Sequence, residues 1–319
     1  MTDNTSTPSA IRGPVAVMDL GTNTFHLLIA QGDAANPEEL FHTTTPVKLG
    51  EGGINSGIIQ PTAYKRGVDT IVSFSETIQQ YKAERVSAIA TSALRSASNG
   101  KDFINEVKTK TGISIETING DREAQYIYEG VKAGHCLTAK NSLILDIGGG
   151  SVEFILGNEH KILWKQSFEI GAARMLDRFH QTDPIPASSI NELNNCLQHT
   201  LPALFEAVKN IQIDNIIGSS GAFETFAEVI ELEKGNEFDL KKNRKYHFKP
   251  NEFTAVTDRL IASSHHEREN TKGIIPIRVD MIVSAALITR FVMAKLGIND
   301  ILMSTYSLKE GVLAEALGD

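Results

Sequence analysis

The stretch DLGTNTFHLLIA, residues 19–30, is echoed later in the chain by DIGGGSVEFILG, residues 146–157. In both, an aspartate ends an apolar strand, Val15–Leu20 in one case and Leu143–Ile147 in the other. A glycine lies two residues beyond the aspartate, a hydroxyl-bearing residue follows, and a second β-rich segment begins, Phe25–Ala30 or Val152–Leu156. The spacing between the copies is close to the length of a whole domain. That excludes a short-period solenoid and points to two duplicated α/β units. Two such hairpins facing each other would frame a cleft, the usual place for a ligand.

The flanking sequence supports a mixed α/β chain. Leu40–Thr45 reads as a third strand of the first unit, completing a meander. Pro61 opens a helix whose positions Val68, Ile71, Val72, Ser75 and Ile78 follow the 3.6-residue period. A strand at Val86–Ala90, a helix at Lys101–Lys110, a strand at Ile113–Ile118 and a helix from Asp121 to Val131 follow. The second unit continues with a strand at Ile162–Phe168, helices at Ala172–Phe179 and Ser188–Lys209, a strand at Ile213–Gly218, and a helix from Ala222 after the turn Ser219–Gly221. The expected organisation is a polar disordered tail (1–14), domain I (15–123, with a C-terminal helix of about 306–319 returning to it) and domain II (124–305).

At 319 residues, 41% of them hydrophobic, the chain can bury a sizeable core without staples. Its two cysteines, Cys136 and Cys196, form neither a disulfide framework nor a zinc pattern, which fits the reducing cytoplasm. The first residues, MTDNTSTPSAIRGP, lack the basic and apolar regions of a signal peptide. No apolar run approaches the about 18 residues of a membrane helix. A net charge of −8 argues against nucleic acid bound through a broad basic surface. An anionic ligand would therefore need local devices: backbone amides, a few arginines and a cation.

The glycine turns supply the amides. Taken singly, Gly21–Thr24 or Gly148–Ser151 reads as a hairpin turn; paired behind aspartates, they read as nests for phosphate oxygens. Gly21, Thr22, Asn23 and Thr24 on one side, and Gly148, Gly149, Gly150 and Ser151 on the other, are the candidate phosphate ligands. Asp19, Asp146 and Glu153 are candidates for a metal, since magnesium takes one or two carboxylates plus phosphate and water oxygens. Ser92 and Arg95, in ATSALRSASNG, offer a hydroxyl and a guanidinium after a strand. Ser220 and Gly221, in GSSGAFE, form another such turn before a helix. Glu123, in NGDREAQ, falls between the halves, where a carboxylate could activate water; it would equally serve as a first-turn residue favouring the helix dipole. Lys48 is a further candidate anion contact. His265, His266 and the basic run KKNRKYHFK (241–249) read as solvated surface, with steering of anions as the alternative for the run.

The stretches DLGTNTFHLL, VKLGEGG, ATSALRSASN, the NG-x-x-EA segment ending at Glu123–Ala124, DIGGGSVE, GSSGAF, RVDMIVSAALI and STYSLKEGVL together closely resemble the exopolyphosphatase and guanosine pentaphosphate phosphatase (Ppx/GppA) family. The resemblance spans nearly all of the chain beyond the tail. It implies two ribonuclease-H-like domains of the actin, sugar kinase and heat-shock chaperone superfold, flanking a cleft. It implies release of orthophosphate from polyphosphate, or of the 5′ phosphate from guanosine pentaphosphate, with magnesium or manganese. Glu123 then matches the catalytic glutamate, Arg95 a phosphate contact, and Asp19, Asp146, Gly148, Gly149, Ser151 and Glu153 the phosphate and metal site. A homodimer is implied by resemblance alone. Ser307 and Lys309 depart from the family's usual glycine and arginine, and a lysine lacks the arginine's bidentate fork. A kinase of the same superfold, a non-enzymatic sensor of guanosine tetraphosphate or polyphosphate, and a chaperone-like ATPase are the competing readings.

Overall fold

The computed structural model describes residues 13–318. The expected tail falls outside the described residues as far as residue 12; Pro14 is already tied in, its carbonyl accepting from the Glu84 amide at 2.8 Å. In chain order the first unit comprises β1 (Val15–Leu20), β2 (Thr24–Asp33), β3 (Asn36–Pro46), α1 (Pro61–Gln80), β4 (Arg85–Ala90), α2 (Ser92–Ser96), α3 (Gly100–Thr111), β5 (Ile115–Thr117) and α4 (Gly120–Ala133). Then come β6 (Ser142–Ile147), β7 (Val152–Gly157), β8 (Ile162–Phe168), α5 (Ala172–Phe179), α6 (Ala187–Thr200), α7 (Pro202–Val208), β9 (Asn215–Gly218) and α8 (Gly221–Glu233). The chain ends with β10 (Lys245–Phe248), α9 (Pro250–Ala262), α10 (His265–Glu269), α11 (Met281–Leu296), β11 (Ile301–Ser304) and α12 (Leu308–Gly318).

The strand orders are β3-β2-β1-β4-β5 and β10-β11-β9-β6-β7-β8. In each sheet an antiparallel meander of three strands is extended by two parallel strands beside its first member. This is the ribonuclease-H-like arrangement twice over, with β10 added antiparallel at one edge. Side-chain alternation along the first strand of each sheet sets the layers. Ala16, Met18 and Leu20 face α1 and α3, while Val15 and Val17 face a core shared between the sheets. Leu143, Leu145 and Ile147 likewise face their own helices, and Ile144 faces the shared core. Asp19 and Asp146 therefore lie on the shared side, at the strand ends.

Helices α4 and α12 fill that shared layer, and α12 also rests on β1 and β2. They cross through glycines. A Cβ on Gly311 would sit 1.9 Å from the Tyr126 carbonyl oxygen, and one on Gly130 would sit 1.9 Å from that of Ser307.

Two expectations need correction. The single helix expected over Ser188–Lys209 is two, because Pro202 lacks an N–H and its ring clashes with the preceding turn; it serves instead as the first residue of α7. The run 241–249, expected as exposed loop, contributes edge strand β10, with Tyr246 and Phe248 packed inward. In α1, Phe74 is buried in addition to Val68, Ile71, Ser75 and Ile78, while Val72 is only half-buried.

Gly311→Ala tests the helix crossing. In an open helix the change would stabilise by about 0.5–1 kcal/mol. Here the new methyl meets backbone rather than a movable side chain, so a net loss of about 1–3 kcal/mol is expected in denaturant unfolding. A gain in stability would mean that α4 and α12 are not packed this closely.

Candidate active site

The two glycine turns touch. A Cβ on Gly149 would lie 2.3 Å from Asn23 Nδ2, and one on Gly150 would lie 2.4 Å from Ser92 Oγ and 2.8 Å from Thr22 Oγ1. None of Gly148, Gly149 and Gly150 has a positive φ; glycine at 149 and 150 is required by this approach, not by backbone conformation. The first turn is pinned from below: Val47 and Lys48 donate their amides to the Asn23 carbonyl at 2.9 and 2.7 Å, and Gly50 donates to that of Thr22 at 3.1 Å. Lys48 thus enters through its backbone, with a φ of 47°. Thr24 turns away, its hydroxyl 3.1 Å from His26 Nε2, and Asn23 Nδ2 lies 2.8 Å from Met281 Sδ.

Behind the turns lie four carboxylates. Asp146 and Glu153 are directly opposed across β6 and β7, and Ser167 is opposite Glu153 on β8. Ser219 donates to Asp146 Oδ2 at 2.8 Å, and the Ser307 hydroxyl bonds the same oxygen. Ser167 donates to Glu153 Oε1 at 2.6 Å. Glu123 is buried in the first turn of α4, whose N-cap Asn119 accepts from the Arg122 amide at 2.9 Å. Arg95 reaches Glu123 Oε2 at 2.8 Å and donates to the Ile118 carbonyl.

Burial dominates the electrostatics. Loss of hydration pushes Asp19 and Glu123 up to about 7 and Asp146 to about 6. Glu153 rises well above the usual range through burial and the charges of Glu123 and Asp146. Lys309 opposes this at Asp19 and Asp146, and Arg95 at Glu123. Its acidic neighbours, Glu310 first, raise the Lys309 pKa despite the cost of burying the ammonium.

Sequence reasoning missed Glu169 and Arg174. Glu169 bonds Arg95 at 3.1 Å, Ser92 at 2.9 Å and Arg174 at 2.6 Å. Arg174 also donates to the Gly150 and Ile54 carbonyls, and Asn55 bonds Asp177 at 2.6 Å, so this chain of contacts crosses between the sheets. The available signal was FEIGAAR, with its acid and base flanking the start of α5. Gly221 makes room for Arg278, which pairs with Glu224 at 2.8 Å. Ser220 Oγ is buried without a partner. His265 sits in a capping box begun by Ser264 and pairs with Asp280 at 2.6 Å.

Among the described residues, no group of three or more His, Cys, Asp or Glu side chains gathers as a metal cage. Serine hydroxyls occupy one oxygen each of Asp146 and Glu153. Asp19 Oδ1, however, is buried with no hydrogen-bond partner. Such an orphaned oxygen in an acidic pocket fits a cation completed by waters and substrate oxygens, as magnesium prefers.

Comparison with known proteins identifies the family. A sequence model described as the Ppx/GppA phosphatase family matches residues 28–319. The chain belongs to the Ppx/GppA phosphatase family. A crystal structure of an exopolyphosphatase from Cytophaga hutchinsonii is similar, with a TM-score of 0.92 and 39% identity, covering 95% of this chain and 97% of that one. A Haemophilus influenzae protein provisionally named an exopolyphosphatase is 27% identical over 302 residues, 94% of this chain and 90% of its own length. A guanosine-5′-triphosphate,3′-diphosphate pyrophosphatase from Photobacterium profundum is 26% identical over 303 residues. The alignment covers 95% of this chain but only 59% of that relative. The expected family, the two-sheet α/β fold and the phosphohydrolase class are met together. Among the described residues no helix is long and apolar enough to cross a membrane.

The crowded acids give a pH-dependent stability of known sign. Their folded-state pKa values are raised above the ordinary 3.8 and 4.5, so between about 4 and 7 the folded protein holds more protons than the unfolded one. Their stabilising contribution is full below that window and lost as pH rises through it. In chelator, Glu153→Gln is expected to flatten the decline of Tm between pH 5 and 8, and magnesium is expected to raise the wild-type Tm more at pH 8 than at pH 5. Parallel profiles with and without the substitution would contradict the charge crowding.

Proposed function

We propose that the chain hydrolyses the terminal anhydride of inorganic polyphosphate and releases orthophosphate. One observation carries the reading: Glu123, a buried carboxylate on Arg95, is joined to the two glycine turns, because Arg95 and Ser92 share Glu169 and Ser92 abuts Gly150. Amides of the turns at Thr22–Asn23 and 148–151, with the hydroxyls of Thr22, Ser92 and Ser151, cradle the terminal phosphoryl group, whereas the Gly21 amide is taken by the Thr24 carbonyl at 3.1 Å and shapes the turn instead. Arg95 exchanges part of its contact with Glu123 and Glu169 for phosphate oxygens. Glu123 orients the attacking water and accepts its proton as the new P–O bond forms and the anhydride bond breaks. A divalent cation, magnesium with manganese as the alternative, would be held by Asp146, with Asp19 and Glu153 reaching it directly or through water, and would neutralise phosphate charge.

Opening and closing would occur between one unit, 15–123 with the C-terminal helix, and the other, 124–305. The same reading places the protein in the cytoplasm, as a homodimer, with neither nucleic acid nor membrane as partner. Polyphosphate is preferred because the exopolyphosphatase structure from Cytophaga hutchinsonii, 39% identical, matches over 95% of this chain and 97% of that one. Guanosine pentaphosphate is the second reading, favoured by the names of several relatives whose sequences extend well beyond this one.

Orthophosphate release is the test, with short and long polyphosphate, guanosine pentaphosphate and ATP as substrates, each with magnesium or chelator. Glu123→Gln is expected to lower kcat on the preferred substrate by about 10²–10⁴-fold with little change in KM. Wild-type turnover by this variant would remove Glu123 from the mechanism. Tight binding without turnover by the wild type would support a sensor instead.

A further inference from the structure

The basic run KKNRKYHFK, residues 241–249, has no part in the function above, yet it lies in a chain of net charge −8. Its place is specific. Lys245 in β10 is opposite Ser304 in β11. The Arg244 carbonyl accepts from the Thr305 amide at 3.0 Å, and its guanidinium lies 5.1 Å from the centre of the Tyr306 ring. The next residue, Ser307, bonds Asp146 in the candidate site, and Lys309 follows among the buried carboxylates. The run is therefore joined to the strand end that leads into the cleft. On the opposite side is β3 of the first sheet: burial first, then the positive charges of Lys309 and Lys241, lower the pKa of His42. Lys241 is thus close enough to act on the first sheet's edge.

Pairing separates these cations from ordinary surface charge. Lys249 pairs with Glu252 at 3.2 Å, and Lys242 lies 3.8 Å from Asp239. Lys241, Arg244 and Lys245 are exposed, and among the described residues none is within ion-pair distance of a carboxylate. The acids that act on Tyr306 across from Arg244 are Glu310 and Glu39. Glu310 is already compensated by Lys309 at 3.0 Å and by the Ser307 amide at 2.8 Å, which leaves Glu39. Three unpaired cations on the segment paired with the strand end that leads to Ser307 and Asp146, in a chain of net charge −8, suit a flexible linear polyanion that carries charge along its length.

We propose that Lys241, Arg244 and Lys245 form an outer subsite for the trailing phosphates of a polyphosphate chain whose terminal phosphoryl group occupies the cleft. The inference rests on the polyphosphate reading. The subsite takes linear phosphate by charge and by the guanidinium fork, with no base or sugar to recognise, so it acts only on chains long enough to reach it.

The test compares wild type with the triple variant Lys241→Gln, Arg244→Gln, Lys245→Gln, on tripolyphosphate and on long-chain polyphosphate. For the long chain, KM is expected to rise about tenfold with kcat unchanged, and its dependence on salt is expected to become shallower as fewer counterions are exchanged. Tripolyphosphate kinetics should not change. Equal KM values for the long chain, or the same loss on both substrates, would overturn the subsite. If the triple variant does not fold, Lys241→Gln alone carries the same comparison with a smaller shift. Wild-type protein releasing no orthophosphate from either substrate would defeat the functional reading first, and the subsite with it.

Discussion

Asp146 and Glu153 stand side by side on adjacent strands, buried, with Glu123 near enough to raise the pKa of Glu153. Like charges directly opposed across a sheet destabilise it, and burial deepens the cost. The surrounding structure offsets that cost in specific ways. Ser219 and Ser307 serve Asp146, Ser167 serves Glu153, Arg95 holds Glu123, and the Lys309 ammonium favours the ionised forms of Asp19 and Asp146. These partners come from β8, the turn after β9, the short helix α2, the turn before α12 and the first turn of α12. The shared layer of α4 and α12 brings them within reach, and glycines at the helix crossing allow the close approach. What remains uncompensated, including the orphaned Asp19 oxygen, is suited to a cation and a phosphate chain.

Much of this was legible because alternation in a strand assigns faces. In VAVMDL and SLILDI the aspartate shares a face with alternate apolar residues that build the shared core, so a carboxylate at the strand end had to meet the other unit. The further glycines of the second copy, Gly149 and Gly150, then mark close approach to the first turn. Glu123 stood out by its position between the halves, but a first-turn glutamate favouring the helix dipole explains that position equally, and its catalytic role is implied by the family resemblance. Other features were not, because they join segments far apart in sequence. Glu169 with Arg95 and Ser92, Ser307 with Asp146, and Arg278 behind Gly221 depend on how the sheets face each other, and no local period encodes that. The break at Pro202 was available in the sequence and follows from ring geometry alone. The edge strand in the basic run was masked by charge: only its inward residues, Tyr246 and Phe248, carry an apolar signal, and at four residues it is too short for a clear pattern.

The contacts between the two sheets around the site are mostly polar. Asn23 meets Met281, Asn55 meets Asp177, and Arg174 bridges Gly150 to Ile54. Such contacts part at lower cost than the apolar layer behind them, since water replaces each lost hydrogen bond. Substrate entry therefore calls for separation at the turns while α4 and α12 remain packed. The Glu169 bridge has a direct place in that motion, because it engages Arg95 and Arg174 at once and is half exposed, so a phosphate arriving at Arg95 competes with an acid that solvent can readily receive.

The central claim is that a water held at Glu123 attacks the outermost phosphorus. Hydrolysis of polyphosphate in oxygen-18 water, followed by mass analysis of both products, tests it most directly. Attack at the terminal phosphorus places one heavy oxygen in each released orthophosphate and none in the shortened chain. Heavy oxygen at the new end of the chain, with unlabelled orthophosphate, would mean attack at the penultimate phosphorus and would contradict the account.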